Sequence, residues 1–320
     1  MSTFFLVGDI GGTNARLAIY NVDTKELNRV ITYSTAAFPS LELAIKTYLE
    51  ECGETIDRAC LAVACPVTED KIEMTNHSWQ FSISEMKANL GLLSLEVIND
   101  FQACALSVPF LKDEFFIEIS SGNGAEINKP KAVFGPGTGL GVTCILKHGN
   151  DWLCLPGEGG HAEFSPQNEL EFSLFEIMKK KFKRVSAERV MSGAGIINIY
   201  QSLCEYNNLT PDELSPAEIS ARALKKLCPM CEETVALFFR LLGRFAGNLA
   251  LLYGATGGVY VAGGIVPQLR ELFLTSEFIA EMHNKGRFSS YVANIPVSLI
   301  IHPEPGLMGS GIYMSQQNHL

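Results

Sequence analysis

Short apolar runs with β-branched and aromatic side chains open the chain: residues 4–10, 15–20 and 29–35 read as three strands. Helical spacing of apolar positions follows in PSLELAIKTYLEEC, then a strand in ACLAVAC. A helix comes next near SISEMKANL, with Ser82 and Glu85 spaced as a capping box, and a strand in LEVIND. After Pro130 the pattern restarts with strand KAVFGPG, turn TGLG, strands VTCILKHG and DWLCLPG, and then helices. The order reads as a repeat of the opening hairpin, although the halves share little sequence beyond strand, Gly/Thr turn, strand. Farther on, the amphipathic pattern ELEFSLFEIMKKKF runs into KKKFKR, where cations suit a helix C-terminus and a solvated face. The most apolar segment, residues 234–253, contains Arg240, Arg244 and Asn248, which are costly inside a bilayer, so it reads as a buried helix.

Composition narrows the function. A chain of 320 residues suits two compact domains or one large α/β domain. With 47% apolar and 19% charged residues and no low-complexity linker, it reads as folded almost throughout. A formal net charge of -10 with scattered cations argues against nucleic acid as a partner. The first strand starts almost at once with no basic segment before it, so no signal peptide is expected and the location reads as cytoplasmic. Nine cysteines, an odd number at irregular spacings, suggest free thiols in a reducing compartment. Cys228 and Cys231 make one CxxC, which lacks the second ligand pair of a structural zinc site.

The chemistry concentrates in glycine-rich turns. LVGDIGGTNARLAIY, residues 6–20, lacks the Gly-Lys-Ser/Thr of a Walker loop and the Gly-x-Gly-x-x-Gly of a dinucleotide fingerprint, and it leads into a strand rather than a helix. It therefore reads as a hairpin with Asp9 at the end of its first strand. GPGTGLG has the same character: glycines that allow positive φ and close backbone approach, and a threonine hydroxyl for an anion. Either alone is equally a plain hairpin turn. GATGGVYVAGGIVP, residues 254–267, is an apolar strand between glycine turns, which reads either as a buried strand with tight ends or as a place for a flat base. EVINDFQACAL puts Asn99 and Asp100 at the end of an apolar strand, where Asp100 is either a helix N-cap or a reactive carboxylate.

Asp9-Ile10-Gly11-Gly12-Thr13-Asn14, Gly137-Thr138-Gly139-Leu140-Gly141 and Gly263-Gly264 resemble the two phosphate motifs and the adenosine motif of the sugar kinase and actin superfamily. With INDF and LPGEGGH between them in the family's order, the chain is most similar to the bacterial ATP-dependent glucokinases, from about residue 5 to about residue 313. The resemblance implies an α/β, two-domain sugar kinase/actin-like (ribonuclease H-like) fold with an active-site cleft between domains. Residues 1–110 with 301–320 would form a small domain and residues 111–300 a large one. It implies ATP held by Gly8, Asp9, Ile10, Gly11, Gly12, Thr13, Gly137, Thr138, Gly139, Gly263 and Gly264. Asp9 would hold Mg²⁺ through its water shell, because that ion dehydrates reluctantly. The family's base falls on Asp100, and its sugar contacts fall on Asn99, Asp100, Glu158, His161 and Glu188. A hexose presents hydroxyls that both donate and accept, which carboxylates, amides and imidazole can meet. Glu188 reads alternatively as N3 of a helix capped by Ser186 or as a surface residue. EMTNHSW also matches the family, with Asn76 beside the sugar and His77 and Trp79 as packing residues.

The implied reaction is direct transfer of the γ-phosphate of ATP to the 6-hydroxyl of glucose, by a homodimer that binds no membrane. A kinase of mannose or fructose is the nearest rival. A sugar-responsive repressor on this fold would carry a DNA-binding segment before the first phosphate motif, where only eight residues precede Asp9. An actin-like filament protein would have no use for the sugar set.

Overall fold

The computed structural model describes residues 4–74 and 78–317. Within these residues thirteen strands form three sheets. The chain divides into two compact units, one of residues 1–112, 148–154 and 302–320 and the other of residues 113–147 and 155–301.

The first unit is built on a five-stranded sheet. Strands β1 (Phe4–Ile10), β2 (Asn14–Asn21), β3 (Glu26–Ser34) and β4 (Arg58–Val63) come first along the chain. β5 (Lys71–Glu73) and β6 (Gln80–Ser82) form a separate small ribbon, and β7 (Ser94–Asn99) completes the main sheet in the order β3-β2-β1-β4-β7. β1, β2 and β3 form an antiparallel meander, while β4 and β7 join in parallel. Central strands of such a sheet are covered on both faces, which is why β1 and β4 read as continuous apolar runs. Leu6, Ile10, Leu61 and Val63 enter one core with the helix Leu41–Cys52. Phe5, Val7, Cys60 and Ala62 enter another with the C-terminal helix Pro305–Gln317.

The second sheet has the order β11-β10-β9-β12-β13-β8. Its strands are β8 (Phe116–Ser120), β9 (Lys131–Pro136), β10 (Leu140–His148), β11 (Asp151–Leu155), β12 (Val259–Val261) and β13 (Val297–Ile300). β9 and β10 pair antiparallel and β12 and β13 join in parallel, so the order of the first sheet recurs, with β8 added antiparallel at its edge. The repeat read from the strand pattern is thus present in topology.

The helix Pro229–Tyr253 is long and apolar enough to cross a membrane, but two-thirds of its apolar window is buried. Leu237, Phe238, Leu241 and Leu242 lie in the second unit's core. Arg244 reaches Glu171 at 2.5 Å and Glu281 at 2.6 Å, and Arg240 reaches Glu233 at 2.6 Å, so the helix carries its cations by pairing them. The run at residues 179–181 closes the helix Glu169–Phe182, where lysines meet unpaired carbonyls. None of the nine cysteines is in a disulfide.

Candidate active site

Parallel strands end together, and in the first unit that edge collects the acidic residues. Ile10 is paired with Val63, and Val63 with Asn99, so the ends of β1, β4 and β7 are level. Asp9 and Asp100 therefore project from one edge of the sheet, the edge at which open α/β sheets bind ligands.

The β1–β2 turn is closed by the Gly11 N–H donating to the Asn14 carbonyl at 2.9 Å. Thr35 fastens it from behind, its N–H on the Thr13 carbonyl at 3.0 Å and its hydroxyl on the Gly12 carbonyl at 2.9 Å. These bonds use the carbonyls and leave the tip itself uncovered, with Thr13 exposed. Gly8 leaves room for its neighbour: a Cβ there would lie 2.7 Å from the Leu61 side chain, which would have to shift.

Asp9 accepts from the Arg16 guanidinium at 3.4 Å, and Arg16 reaches Glu304 at 3.4 Å on its other side. Burial pushes the Asp9 carboxyl up, opposed by Arg16. Burial also raises Glu304, again opposed by Arg16 and reinforced by the negative charge of Asp9. Asp100 is pushed up to about 6, first by burial and then by the charge of Asp9. Asp9 and Glu304 thus share one guanidinium, and Asp100 stands near enough to Asp9 to feel its charge.

The helix Asp100–Ser107 is capped by Asn99, whose side-chain oxygen accepts the N–H groups of Phe101 at 2.9 Å and Gln102 at 3.2 Å. The capping alternative weighed for Asp100 therefore belongs to its neighbour. Asp100 stands at the first helical position, where its carboxylate accepts the Phe101 N–H at 2.7 Å. The amide nitrogen of Asn99 makes a long contact of 3.4 Å to the Cys65 carbonyl, and the Asn99 side chain also hydrogen-bonds Asp100. Arg16 and Glu304 were not anticipated from sequence. Arg16 pairs with Asp9 across the hairpin and was legible from register, whereas Glu304 arrives from the far end of the chain.

In the second unit three segments converge on the β9–β10 turn. The Gly137 N–H donates to the Gly139 carbonyl at 2.8 Å, and the Gly193 N–H donates to the Gly137 carbonyl at 2.9 Å. Glu188 accepts the Leu140 N–H at 2.9 Å, and a Cβ at Gly139 would lie 2.5 Å from the same carboxylate. Glu188 belongs to a 3-10 turn, Ala187–Arg189, in which the Ser186 side chain caps nothing, so the capped-helix alternative is corrected. The loop carrying Glu158 and His161 bridges Val142, and the His161 N–H donates to the Glu158 carbonyl at 2.9 Å. Both side chains are exposed.

Gly263 follows β12 with φ of +82°, and a Cβ there would collide with the Pro136 carbonyl. Gly264 beside it has open space. Of the two freedoms that glycine gives the phosphate turns, positive φ is not used: Gly11, Gly12, Gly137 and Gly139 are not among the positive-φ residues. At Gly137 a Cβ would meet nothing within 4 Å, so what glycine leaves at these tips is bare backbone, which a bulky anion can approach. Asn76 and His77 lie outside the described residues. Trp79 is buried, with its indole N–H on the Phe38 carbonyl at 3.2 Å, which is a packing role.

A family model described as glucokinase matches residues 6–317. The chain is 48% identical over 316 residues to a glucokinase of Escherichia fergusonii, covering 99% of this chain and 98% of that one. It is 47% identical, with the same coverage, to a glucokinase of Salmonella typhi. Among solved structures, a glucokinase from an Antarctic psychrotroph superposes with a TM-score of 0.91 at 36% identity, covering 99% of this chain and all of that one. The fold is shared more distantly with a ROK family glucokinase from Streptomyces griseus solved with glucose and AMPPNP, at a TM-score of 0.64 and 17% identity over 98% of this chain and 99% of that one.

Proposed function

The chain belongs to the glucokinase family and phosphorylates glucose with ATP, and we propose that Asp100 is the base of a direct in-line transfer to the sugar's 6-hydroxyl. The observation that carries this role is a carboxyl raised to about 6, fixed by a helix whose cap is already supplied by Asn99. A base near that value is ionised at neutral pH yet basic enough to accept the proton that the hydroxyl loses as it attacks phosphorus. No covalent phospho-enzyme is formed.

The turn backbone of residues 11–13, just beyond the strand end Gly8-Asp9-Ile10, and that of residues 137–139 suit phosphate oxygens, with the Thr13 and Thr138 hydroxyls as further donors. Gly263 and Gly264 offer backbone to the adenosine. In the second unit Glu188, held by the Leu140 N–H, and the exposed Glu158 and His161, and in the first unit the Asn99 amide, are each of the acceptor or donor types that sugar hydroxyls require.

Mg²⁺ fits the donor set at Asp9. Asp9 and Glu304 share a single guanidinium and Asp100 adds a further negative charge beside Asp9, an excess that a dication would offset. Among the described residues no group of three ligands forms a cage, which suits an ion that keeps most of its waters and touches Asp9 through them. When bound, the ion screens the charge of the phosphates. The excess of acidic residues supports an enzyme without a nucleic-acid partner, and the family resemblance supports a cytoplasmic homodimer.

The test is ADP release by the purified protein with Mg²⁺ and ATP across glucose, mannose, fructose and a sugar-free control. Release with glucose well above the others supports this reading. Release with another hexose instead would keep the mechanism and change the substrate, and sugar-independent release would remove both.

The raised carboxyl also fixes a pH dependence. Asp100 must be ionised, so kcat/KM is expected to climb with pH up to about 6 and level above it, falling roughly tenfold per unit on the acid side. A profile flat from about pH 5 to about pH 7 would exclude Asp100 as the base.

A further inference from the structure

The CxxC of the sequence, left without a role by the kinase reaction, sits at a defined place in the second unit. Cys228 is the N-cap of the helix Pro229–Tyr253, and its sulfur accepts the Cys231 N–H at 3.4 Å. Serine, threonine, aspartate and asparagine are the usual residues there, so a thiol stands where a hydroxyl would cap as well or better. Cys228 is partly exposed, whereas Cys231, one turn on, is fully buried. Residues three apart at a helix start bring their Cβ atoms to about 5–6 Å, within reach of a modest adjustment to disulfide geometry. Burial and the neighbouring Cys228 sulfur hold Cys231 as a thiol. Among the described residues no group of three His, Cys, Asp or Glu side chains that could hold a metal includes the pair.

An accessible thiol facing the first N–H groups of a long helix, with a buried thiol one turn behind, is the arrangement of an attacking and a resolving cysteine. We propose that Cys228 and Cys231 form a reversible dithiol/disulfide couple that exchanges with small-molecule disulfides of the glutathione class. In the first step the Cys228 thiolate attacks one sulfur of the disulfide, forming a mixed disulfide and expelling one thiolate. That thiolate takes up the proton that Cys231 gives up. The Cys231 sulfur then attacks Cys228 Sγ, closes the intramolecular bond and expels the second thiolate, which is protonated by solvent. Two protein thiols are oxidised and one external disulfide is reduced to two thiols. The helix keeps its main-chain bonds, because only the cap and its third residue take part.

Cys204 is the competing thiol, since its titration senses the charge of Cys228 and it shares a hydrogen bond with Tyr200. The experiment must therefore identify the partner. The full-length protein is equilibrated in a glutathione/glutathione disulfide buffer, quenched with an alkylating agent and mapped by peptide mass spectrometry. The expected product joins Cys228 to Cys231 and is reversed by dithiothreitol. Cys231→Ser is expected to accumulate a glutathione adduct on Cys228. Cys228→Ser, which keeps a good cap and therefore folds, is expected to leave Cys231 unmodified while its kinase rate in reductant stays that of the wild type. Absence of the disulfide, pairing through Cys204, or an adduct on Cys231 in Cys228→Ser would overturn the proposal.

Discussion

Asp100→Asn is expected to lower kcat by about 10²–10⁴-fold while leaving glucose and ATP bound, because the amide cannot take the hydroxyl proton but keeps the shape of the side chain. The same change should raise the melting temperature at neutral pH. Asp100 is raised from an ordinary 3.8 to about 6, which means that the folded protein holds its proton more tightly than the unfolded chain. For such a group the stability contribution is most favourable at low pH and declines as pH rises from the unfolded value through the folded one. Above about pH 6 the carboxylate is ionised in both states, and the folded state carries the cost of burying it beside Asp9. Asparagine removes that cost and can still accept the Phe101 N–H. The gain over wild type should therefore be present above about pH 6 and vanish below about pH 4. Thermal melts at several pH values alongside steady-state kinetics check both halves. A variant with near-normal kcat would dismiss Asp100 as the base, and a variant less stable at neutral pH would contradict the electrostatic account.

Much of this arrangement was legible in the sequence because its signals are local. β1 begins and ends where its apolar run does, and β4 and β7 are apolar stretches that end at turn or cap residues. The glycine turns were legible through composition, but which of glycine's two freedoms they use, positive φ or close backbone approach, was not. Positive φ is absent at Gly11 and Gly137, and the benefit of glycine there is an open backbone, which only the surrounding fold reveals. Asn99 and Asp100 are both good caps by type, and the choice between them depends on which residue leaves the strand with extended dihedrals. β8 and β13 pair with each other from distant points in the chain, and their short, mixed sequences carry little periodic signal of their own. Glu304 is harder still, since nothing near it in sequence indicates that it meets Arg16.

The C-terminal helix packs where it would set the position of the proposed base. Pro305–Gln317 packs against Asp100–Ser107, the helix that carries Asp100 at its first position. Their approach is set by Gly309, where an added Cβ would collide with the Ala103 carbonyl, a backbone atom that no rotamer change can move aside. Gly311, two residues on, faces the Tyr20 ring in the same core, and Ser310 between them is fully buried. Relief at Gly309 therefore requires the helices to separate. Gly309→Ala adds one methyl group and would on helix propensity alone be stabilising by about 1 kcal/mol. The collision reverses the sign, and overpacking of a closed core typically costs about 1–3 kcal/mol, with the upper end expected where backbone must shift. Separation would also tilt Asp100–Ser107 and with it the proposed base, so kcat should fall more than KM for glucose rises. Gly53→Ala serves as the control, because there the same Cβ meets nothing within 4 Å and only the left-handed φ of +64° is strained. Denaturant unfolding and steady-state kinetics on the two variants separate the effects: Gly309→Ala should lose stability and turnover together, and Gly53→Ala stability alone. A Gly309→Ala protein as stable and active as wild type would mean that the two helices are not held at the distance that seats Asp100.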